Sequence, residues 1–476
     1  MQITTLHLAA LSILLLAGNA IAQIKPRTTQ PNIVFILFDD MGFGQPPCYR
    51  NDSEFKTPNL DRIALEGMRF TDAHTAAAVC TPTRYGVLTG RYPSRIGQYG
   101  VLTTFSAPII ERERVTVASM LKQQGYHTAC IGKWHLGMKW DEHSSDKKQA
   151  AAPIGAMASE GPIARGFDIF AGYTHARNIG MIMEQDKVGS ILAEDAVQPA
   201  LGKKAVAYIE DRAKVGGPFF LYLPLSTPHT PTVPAAEFKG QSGMDSYGDW
   251  LYEGDWVTGQ ILEALNRNNI AENTLVIATS DNGAAGRVYA PLRGAKTSIY
   301  EGGHRVPFLA RWPGKIKAGS TCDDTICLND LIATSAEIVG VKLPDNAAED
   351  SVSILPDLLG TAKGAVREAT VHQSLDGELA IRQGPWKLIF GKGGTRELYN
   401  LKTDLSETMD VAAANSDVVD KLAALMQQYI DNGRSTPGAA QKNGVEITLG
   451  KSSKVQKKAE KTKAAEVKAG NDPAFD

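Results

Sequence analysis

Several short stretches hold residue types whose grouping suits chemistry on an anion. Asp39-Asp40 and Asp281-Asn282 offer three carboxylates and an amide. Such hard oxygen ligands suit Ca²⁺ or Mg²⁺, and adjacent carboxylates that share a site need a counter-charge. Either pair alone reads better as a turn or a helix cap. At the ends of two similar elements they point to a metal. Cys80 stands in Cys80-Thr81-Pro82-Thr83-Arg84, followed by Tyr85 to Arg91. Pro82 suits a helix start, which puts Cys80 at a helix N-terminus where backbone donors favour an anion, with Arg84 in reach of the same group. A lone cysteine is a small buried hydrophobe; these neighbours make Cys80 a candidate nucleophile in an anion site. Lys133 and His135 are two apart and share a face if the chain stays extended there. His229 lies in Thr227-Pro228-His229-Thr230-Pro231, and Lys296 ends Arg293-Gly294-Ala295-Lys296. Taken singly these are solvated surface residues. Converging on a metal and a helix N-terminus, they are the cations that a doubly charged oxyanion transition state requires.

Something must bring these clusters together, and the apolar runs before them supply it. Asn32 to Phe38 reads as a buried strand ending at Asp39-Asp40, and His127 to Ile131 as one leading into Gly132-Lys133-Trp134-His135. Pro218 to Leu225 leads to Ser226-Thr227-Pro228-His229, and Leu275 to Thr279 to Ser280-Asp281-Asn282. Helix-like stretches such as Pro58 to Gly67 and Val115 to Gln124 lie between them. Continuously apolar strands alternating with helices predict an α/β domain with a large, mostly parallel sheet between helices. In such sheets ligands collect beyond the carboxyl ends of strands, where all four clusters fall. From about Glu368 the texture changes. Thr370–Gln373, Leu379–Gln383, Trp386–Phe390 and Glu397–Asn400 read as short strands between Gly-rich turns, followed by an amphipathic helix from Val418 to Ile430. That predicts a small antiparallel α+β subdomain.

The composition excludes several classes. The 476 residues carry 50 Lys+Arg against 52 Asp+Glu, a net charge of -2, which argues against a general nucleic-acid binder. Five cysteines in this length do not build a disulfide scaffold. Leu8 to Ala17 is an apolar run too short to span a bilayer, and Ala20-Ile21-Ala22 has the small-residue pattern of a cleavage site. Residues 1–22 therefore read as a signal peptide, predicting an exported, periplasmic or secreted protein without stable membrane insertion. The expected organisation continues with a catalytic domain over 30–365, the α+β subdomain over 366–436, and a Lys- and Ala-rich disordered tail over 437–476.

With these residues in place the chain resembles the type I sulfatases of the alkaline phosphatase superfamily. The resemblance rests on C-x-P-x-R with its T-G-R continuation, and on D-D, G-K-W-H-L-G, T-P-H, S-D-N-G and G-x-K-x-x-x-Y-E-G-G-x-R-V-P in family order. It covers roughly residues 30–432. It implies that a maturation enzyme oxidises Cys80 to formylglycine, whose hydrate attacks sulfur. It implies that Asp39, Asp40, Asp281 and Asn282, with the modified Cys80, hold a divalent metal, usually Ca²⁺ and with Mg²⁺ as the other choice. Arg84, Lys133 and Lys296 would neutralise sulfate and diol oxygens; His229 or Lys296 would protonate the leaving oxygen; His135 would deprotonate the remaining hydroxyl and expel sulfate. Gly42-Phe43-Gly44-Gln45 departs from the pattern, carrying glutamine where many relatives have an acidic residue.

The resemblance implies a sulfuric ester hydrolase, with a carbohydrate sulfate preferred over a small aryl sulfate. A phosphoester or phosphonate hydrolase of the same superfamily and a non-catalytic sulfated-glycan binder are the alternatives. His175 and Arg177 are candidate substrate contacts, with an exposed polar loop as the plain alternative, and Lys139 to Pro162 is expected to line the substrate entrance. Cys322 and Cys327 are near enough in sequence to bridge, subject to geometry. Cys130, inside an apolar run, reads as a buried thiol.

Overall fold

The computed structural model describes residues 30–141 and 151–450. The predicted signal peptide, the 451–476 part of the tail and the middle of the proposed entrance segment lie outside the described residues.

A ten-stranded sheet runs through the larger body. Its centre is five parallel strands in the spatial order Thr274–Ser280, Asn32–Asp39, Phe219–Pro228, His127–Lys133 and Ile169–Tyr173. Antiparallel strands flank this centre on both sides. Strand periodicity divides the apolar residues between two cores. Ile33, Phe35 and Leu37 face one core, where the helices Cys80–Thr89, Val117–Gln123 and Leu331–Val339 pack. Val34, Ile36 and Phe38 face the other, against Pro58–Glu66, Glu194–Val215 and Ser246–Arg267. Every residue of the 32–39 strand is buried, which is why its sequence is apolar without alternation.

The four predicted polar clusters all fall at the carboxyl ends of these central strands. Asp39 pairs with Pro228, and Phe38 with Ser280, so three clusters are brought level by register alone. The second helix starts at Val117 rather than Val115. Thr116 caps it, accepting from Ser119 N at 3.0 Å while the Ser119 hydroxyl accepts from Thr116 N at 2.9 Å.

A four-stranded antiparallel sheet, Thr370–Gln373, Leu379–Gln383, Trp386–Phe390 and Arg396–Asn400, is covered by the helix Ser416–Asp431. Its core takes in Ala76, Tyr92 and Tyr99 from the chain around the Cys80 helix. Gln373 bridges to Ala77, three residues before Cys80, so the smaller sheet buttresses the segment that leads into the site. Residues 437–450, assigned from composition to the tail, lie against the body instead. Gly444 N donates to Arg95 O at 2.7 Å, Arg91 donates to Lys442 O at 2.7 Å, and Ile447 and Leu449 pack on the core of the smaller sheet.

The cysteines correct one expectation. Cys322 and Cys327 are both free thiols, because Cys322 ends a strand paired with Met68–Phe70 while Cys327 pairs with Ala73–His74 in a different sheet. Cys130 is fully buried on its strand, as its apolar surroundings predict.

Candidate active site

Adjacent residues on a strand face opposite ways, so Asp39 and Asp40 could not share a site on regular backbone. The strand breaks register after Leu37, and Asp40 takes a left-handed conformation with φ 69°. Asp40 N then donates to Asp281 Oδ1 at 3.2 Å, and Asn282 Nδ2 donates to Asp40 Oδ1 at 2.7 Å. The two pairs from the ends of neighbouring strands are thereby locked into one group.

Cys80 is the first residue of a ten-residue helix that is buried throughout. Its sulfur lies 3.3 Å from Asp39 Oδ1 and 3.4 Å from Lys296 Nζ. Arg84, on the same helix, donates to Asp281 Oδ2 through Nε at 3.1 Å and Nη2 at 2.7 Å, and to Lys133 O at 3.0 Å. Lys133 Nζ donates to Asp39 Oδ2 at 2.5 Å, and Lys296 Nζ to Asp40 Oδ1 at 2.5 Å. Lys296 comes from a loop pinned at its own N–H to Ala284 O, and at Thr297 N to Ala78 O, two residues before Cys80. His229 completes the ring with Nε2 3.9 Å from Asp40 Oδ2.

The electrostatics follow from burial. Burial raises the Asp39 carboxyl, but Lys133, His229, Arg84 and Lys296 outweigh it and hold Asp39 well below the usual range. Asp281 goes the other way, pushed up to about 7 by burial and the Asp39 charge despite Arg84. The Cys80 thiol is raised well above its ordinary value by burial and by Asp281 and Asp39. Lys296 is held charged: burial works against it, but Cys80, Asp40 and Asp39 prevail.

Arg84, Lys133 and Lys296 match the three carboxylates in number, yet burial and the Asp39 charge keep Asp281 raised, so a further cation beside it would be stabilising. Asn282 Oδ1 is buried without a partner while its amide nitrogen is engaged. An orphaned amide oxygen beside Asp39, Asp40 and Asp281 is a hard, all-oxygen donor set, which fits a divalent cation of the Ca²⁺ or Mg²⁺ type.

His135 departs from the extended geometry expected of it. The strand ends at Lys133, and His135 has φ 57°. Its Nε2 bonds Leu102 O at 2.9 Å. A carbonyl only accepts, so Nε2 carries the proton and Nδ1, buried without a partner, is left as the acceptor. Burial, with Lys133 and His175, holds His135 well below the ordinary histidine value. On His229, Nδ1 donates to Thr230 O by the same argument, leaving Nε2 toward Asp40. His175 packs its ring edge-on against His135 at 5.0 Å between centroids, while Arg177 is exposed and donates its backbone N–H to His175 Nδ1.

Sequence reasoning missed the supports. Gln45, at the departing position, is fully buried. It accepts from Gly42 N at 2.6 Å and donates to the Tyr247 hydroxyl at 2.9 Å, and that hydroxyl reaches Asp40 O at 3.4 Å. The Leu102 carbonyl that fixes the His135 tautomer belongs to a main-chain atom and leaves no signal in the sequence.

A buried cation ring around carboxylates and a cysteine-headed helix, at the strand ends of this α/β sheet, has the chemistry to bind an ester of a tetrahedral oxyanion. The chain belongs to the sulfatase family. The family described as Sulfatase matches residues 31–341, and N-sulphoglucosamine sulphohydrolase, C-terminal, matches residues 295–434. The chain is similar to N-acetylgalactosamine-6-O-sulfatase of Bacteroides thetaiotaomicron, at 31% identity over 84% of this chain and 93% of that protein. It is 34% identical to human arylsulfatase A over 81% of this chain and 78% of that one. A sulfatase solved in work on the metabolism of multiple glycosaminoglycans by Bacteroides thetaiotaomicron superposes with a TM-score of 0.76 at 29% identity, over 84% of this chain and 99% of that one. The chain is a sulfuric ester hydrolase.

Proposed function

We propose that the protein is an exported sulfatase that releases inorganic sulfate from a sulfated carbohydrate, using formylglycine made from Cys80 by a maturation enzyme. The observation that carries this reading is the position of the Cys80 sulfur. It lies between Asp39 and Lys296 at a buried helix start, beside the carboxylates and cations of the ring. Conversion to a hydrated aldehyde replaces it with an oxygen nucleophile in the same place.

The other residues then have distinct tasks. Asp39, Asp40, Asp281 and the free Asn282 oxygen would hold Ca²⁺, which when bound draws charge from a sulfate oxygen and orients the nucleophile. Arg84 holds Asp281, and through Lys133 O it fixes the end of the strand that carries Lys133. Lys133 and Lys296 stabilise the charge that grows on the sulfuryl oxygens. His229, whose Nε2 is free of the backbone, is placed to protonate the leaving oxygen. His135 offers a bare Nδ1 as the base that takes the hydroxyl proton and expels sulfate. His175, packed on His135, and Arg177 next to it in the chain are proposed as substrate contacts.

A carbohydrate substrate is supported by the relatives named for an amino-sugar sulfate and for glycosaminoglycan metabolism. Export is supported by the apolar N-terminal run and its A-x-A, and no helix among the described residues is long and apolar enough to cross a membrane. The test is mass spectrometry of the peptide across Cys80, from a host with a maturation enzyme, alongside sulfate release from a panel of sulfated sugars. An aldehyde or its hydrate at Cys80 with release from at least one sugar is the expected result. An intact thiol, in a host that matures another sulfatase, overturns the mechanism.

A further inference from the structure

Three groups of metal-ligand types lie apart from the catalytic one among the described residues; His74, His304 and His372 are engaged by hydrogen bonds, and the group at Cys322 is not. Cys322 ends the strand Ser320–Cys322, Asp324 follows in the turn toward Ile326–Cys327, and Asp357 sits in the short helix Leu355–Leu358. The Cys322 sulfur and a carboxylate oxygen from each aspartate lie within 4.8 Å of one another. They border a cavity of about 330 Å³ that Asp323, Lys315 and Lys317 also line.

The acidic residues alone would not make a site. What sets this group apart is Asp357, which is 4% exposed and whose two carboxylate oxygens are both buried with no donor group among the described residues, their neighbour being the Asp324 carboxylate. A carboxylate taken from water with no donor at either oxygen is strongly disfavoured unless a proton or a cation compensates it. A proton shared with Asp324 would serve one oxygen and leave the other, and the sulfur, unexplained. A divalent cation would engage all three groups.

We propose that Cys322, Asp324 and Asp357 form a second divalent-metal site, and that the ion it fits is Zn²⁺. One thiolate and two carboxylates match the soft-plus-hard ligand mixture zinc accepts, with a fourth position for water; the all-oxygen preference of Ca²⁺ does not include the sulfur. The ion would tie the short helix Leu355–Leu358 to the edge of the ten-stranded sheet, where Ser320–Cys322 pairs only with Met68–Phe70. Its role is structural, and it does not depend on the sulfatase reaction.

The test uses the full chain carrying Cys80→Ser, which removes the catalytic thiol as a competing ligand, saturated with Ca²⁺ to fill the oxygen site. After equilibration with Zn²⁺ and desalting, elemental analysis is expected to find one zinc per chain. Co²⁺ in its place is expected to give a thiolate-to-cobalt absorption band. Zinc retention and the band should both be lost on adding Cys322→Ser or, separately, Asp357→Asn, and zinc should raise the melting temperature of the parent but of neither variant. Retention unchanged in the folded Cys322→Ser protein overturns the proposal. So does an Asp357→Asn protein that melts higher than its parent with or without zinc, the signature of a shared proton.

Discussion

Lys296 is the one side chain that touches both the Asp40 carboxylate and the Cys80 sulfur, at 2.5 and 3.4 Å. Lys296→Met keeps most of the volume and removes the charge. With an effective dielectric constant of about 20, a unit charge pair at the 3.4 Å separation is worth about 5 kcal/mol. If roughly half a charge develops on the group beside Lys296 in the transition state, about 2.4 kcal/mol of its stabilisation is lost, a fall of about 60-fold in kcat. The assay is steady-state sulfate release, with the variant and wild type first matched by mass spectrometry for conversion of Cys80, since Lys296 also borders that residue. KM should change less than kcat, because the charge that matters appears during the reaction. Lys296→Arg should recover only part of the loss, since its planar fork cannot meet both partners at these distances. A Lys296→Met enzyme that is fully converted, folded and within five-fold of wild-type kcat would refute the reasoning.

Other expectations follow from the same geometry. His135→Ala removes the bare Nδ1, so one equivalent of alcohol should be released in a burst before turnover slows by about 10²–10⁴-fold; steady-state turnover within ten-fold of wild type would contradict the assigned base. Glu253 is fully buried, accepts from Ala235 N at 2.9 Å, and has its other oxygen without a partner; burial pushes it up to about 8. A carboxyl raised in this way contributes stability that is present below its unfolded pKa and lost as pH rises through about 8. Glu253→Gln should therefore match wild type near pH 4.5 and become more stable toward pH 8, by about 1–3 kcal/mol in denaturant titrations. A difference independent of pH would contradict this. Gly132 has φ 134°, and an added Cβ would meet Pro224 O at 2.1 Å in the centre of the sheet. Gly132→Ala should cost about 2–4 kcal/mol, whereas Gly125→Ala, with φ 84° and open space around it, should show only the smaller backbone penalty in the same melts.

Much of the site was legible because buried strands advertise themselves. Continuous apolar runs ending in polar residues put Asp39, Lys133, His229 and Asp281 at strand ends, and the antiparallel strands from Thr370 match their sequence pattern almost to the residue. Local chemistry carried that far because side-chain period and chain connectivity act over a few residues. It failed where the backbone leaves a regular period. Extended geometry at His135 was the natural expectation, yet φ 57° turns the ring to the Leu102 carbonyl, a partner 33 residues away. Contacts after residue 437 are hidden for a similar reason: composition cannot register a main-chain bond from Gly444 to Arg95.

By itself the sequence determined the residue types available to the reaction, the strands that end beside them, and the cysteine-headed helix. Only the tertiary structure decided that Asp40 turns back toward Asp39, that Asn282 keeps an unclaimed oxygen, that the Cys80 sulfur meets both Asp39 and Lys296, and that Cys322 faces Asp324 and Asp357 rather than Cys327. Those outcomes depend on which groups meet across large separations in the chain and on how much water is excluded where they meet. Neither quantity is a property of a residue or of its neighbours in sequence.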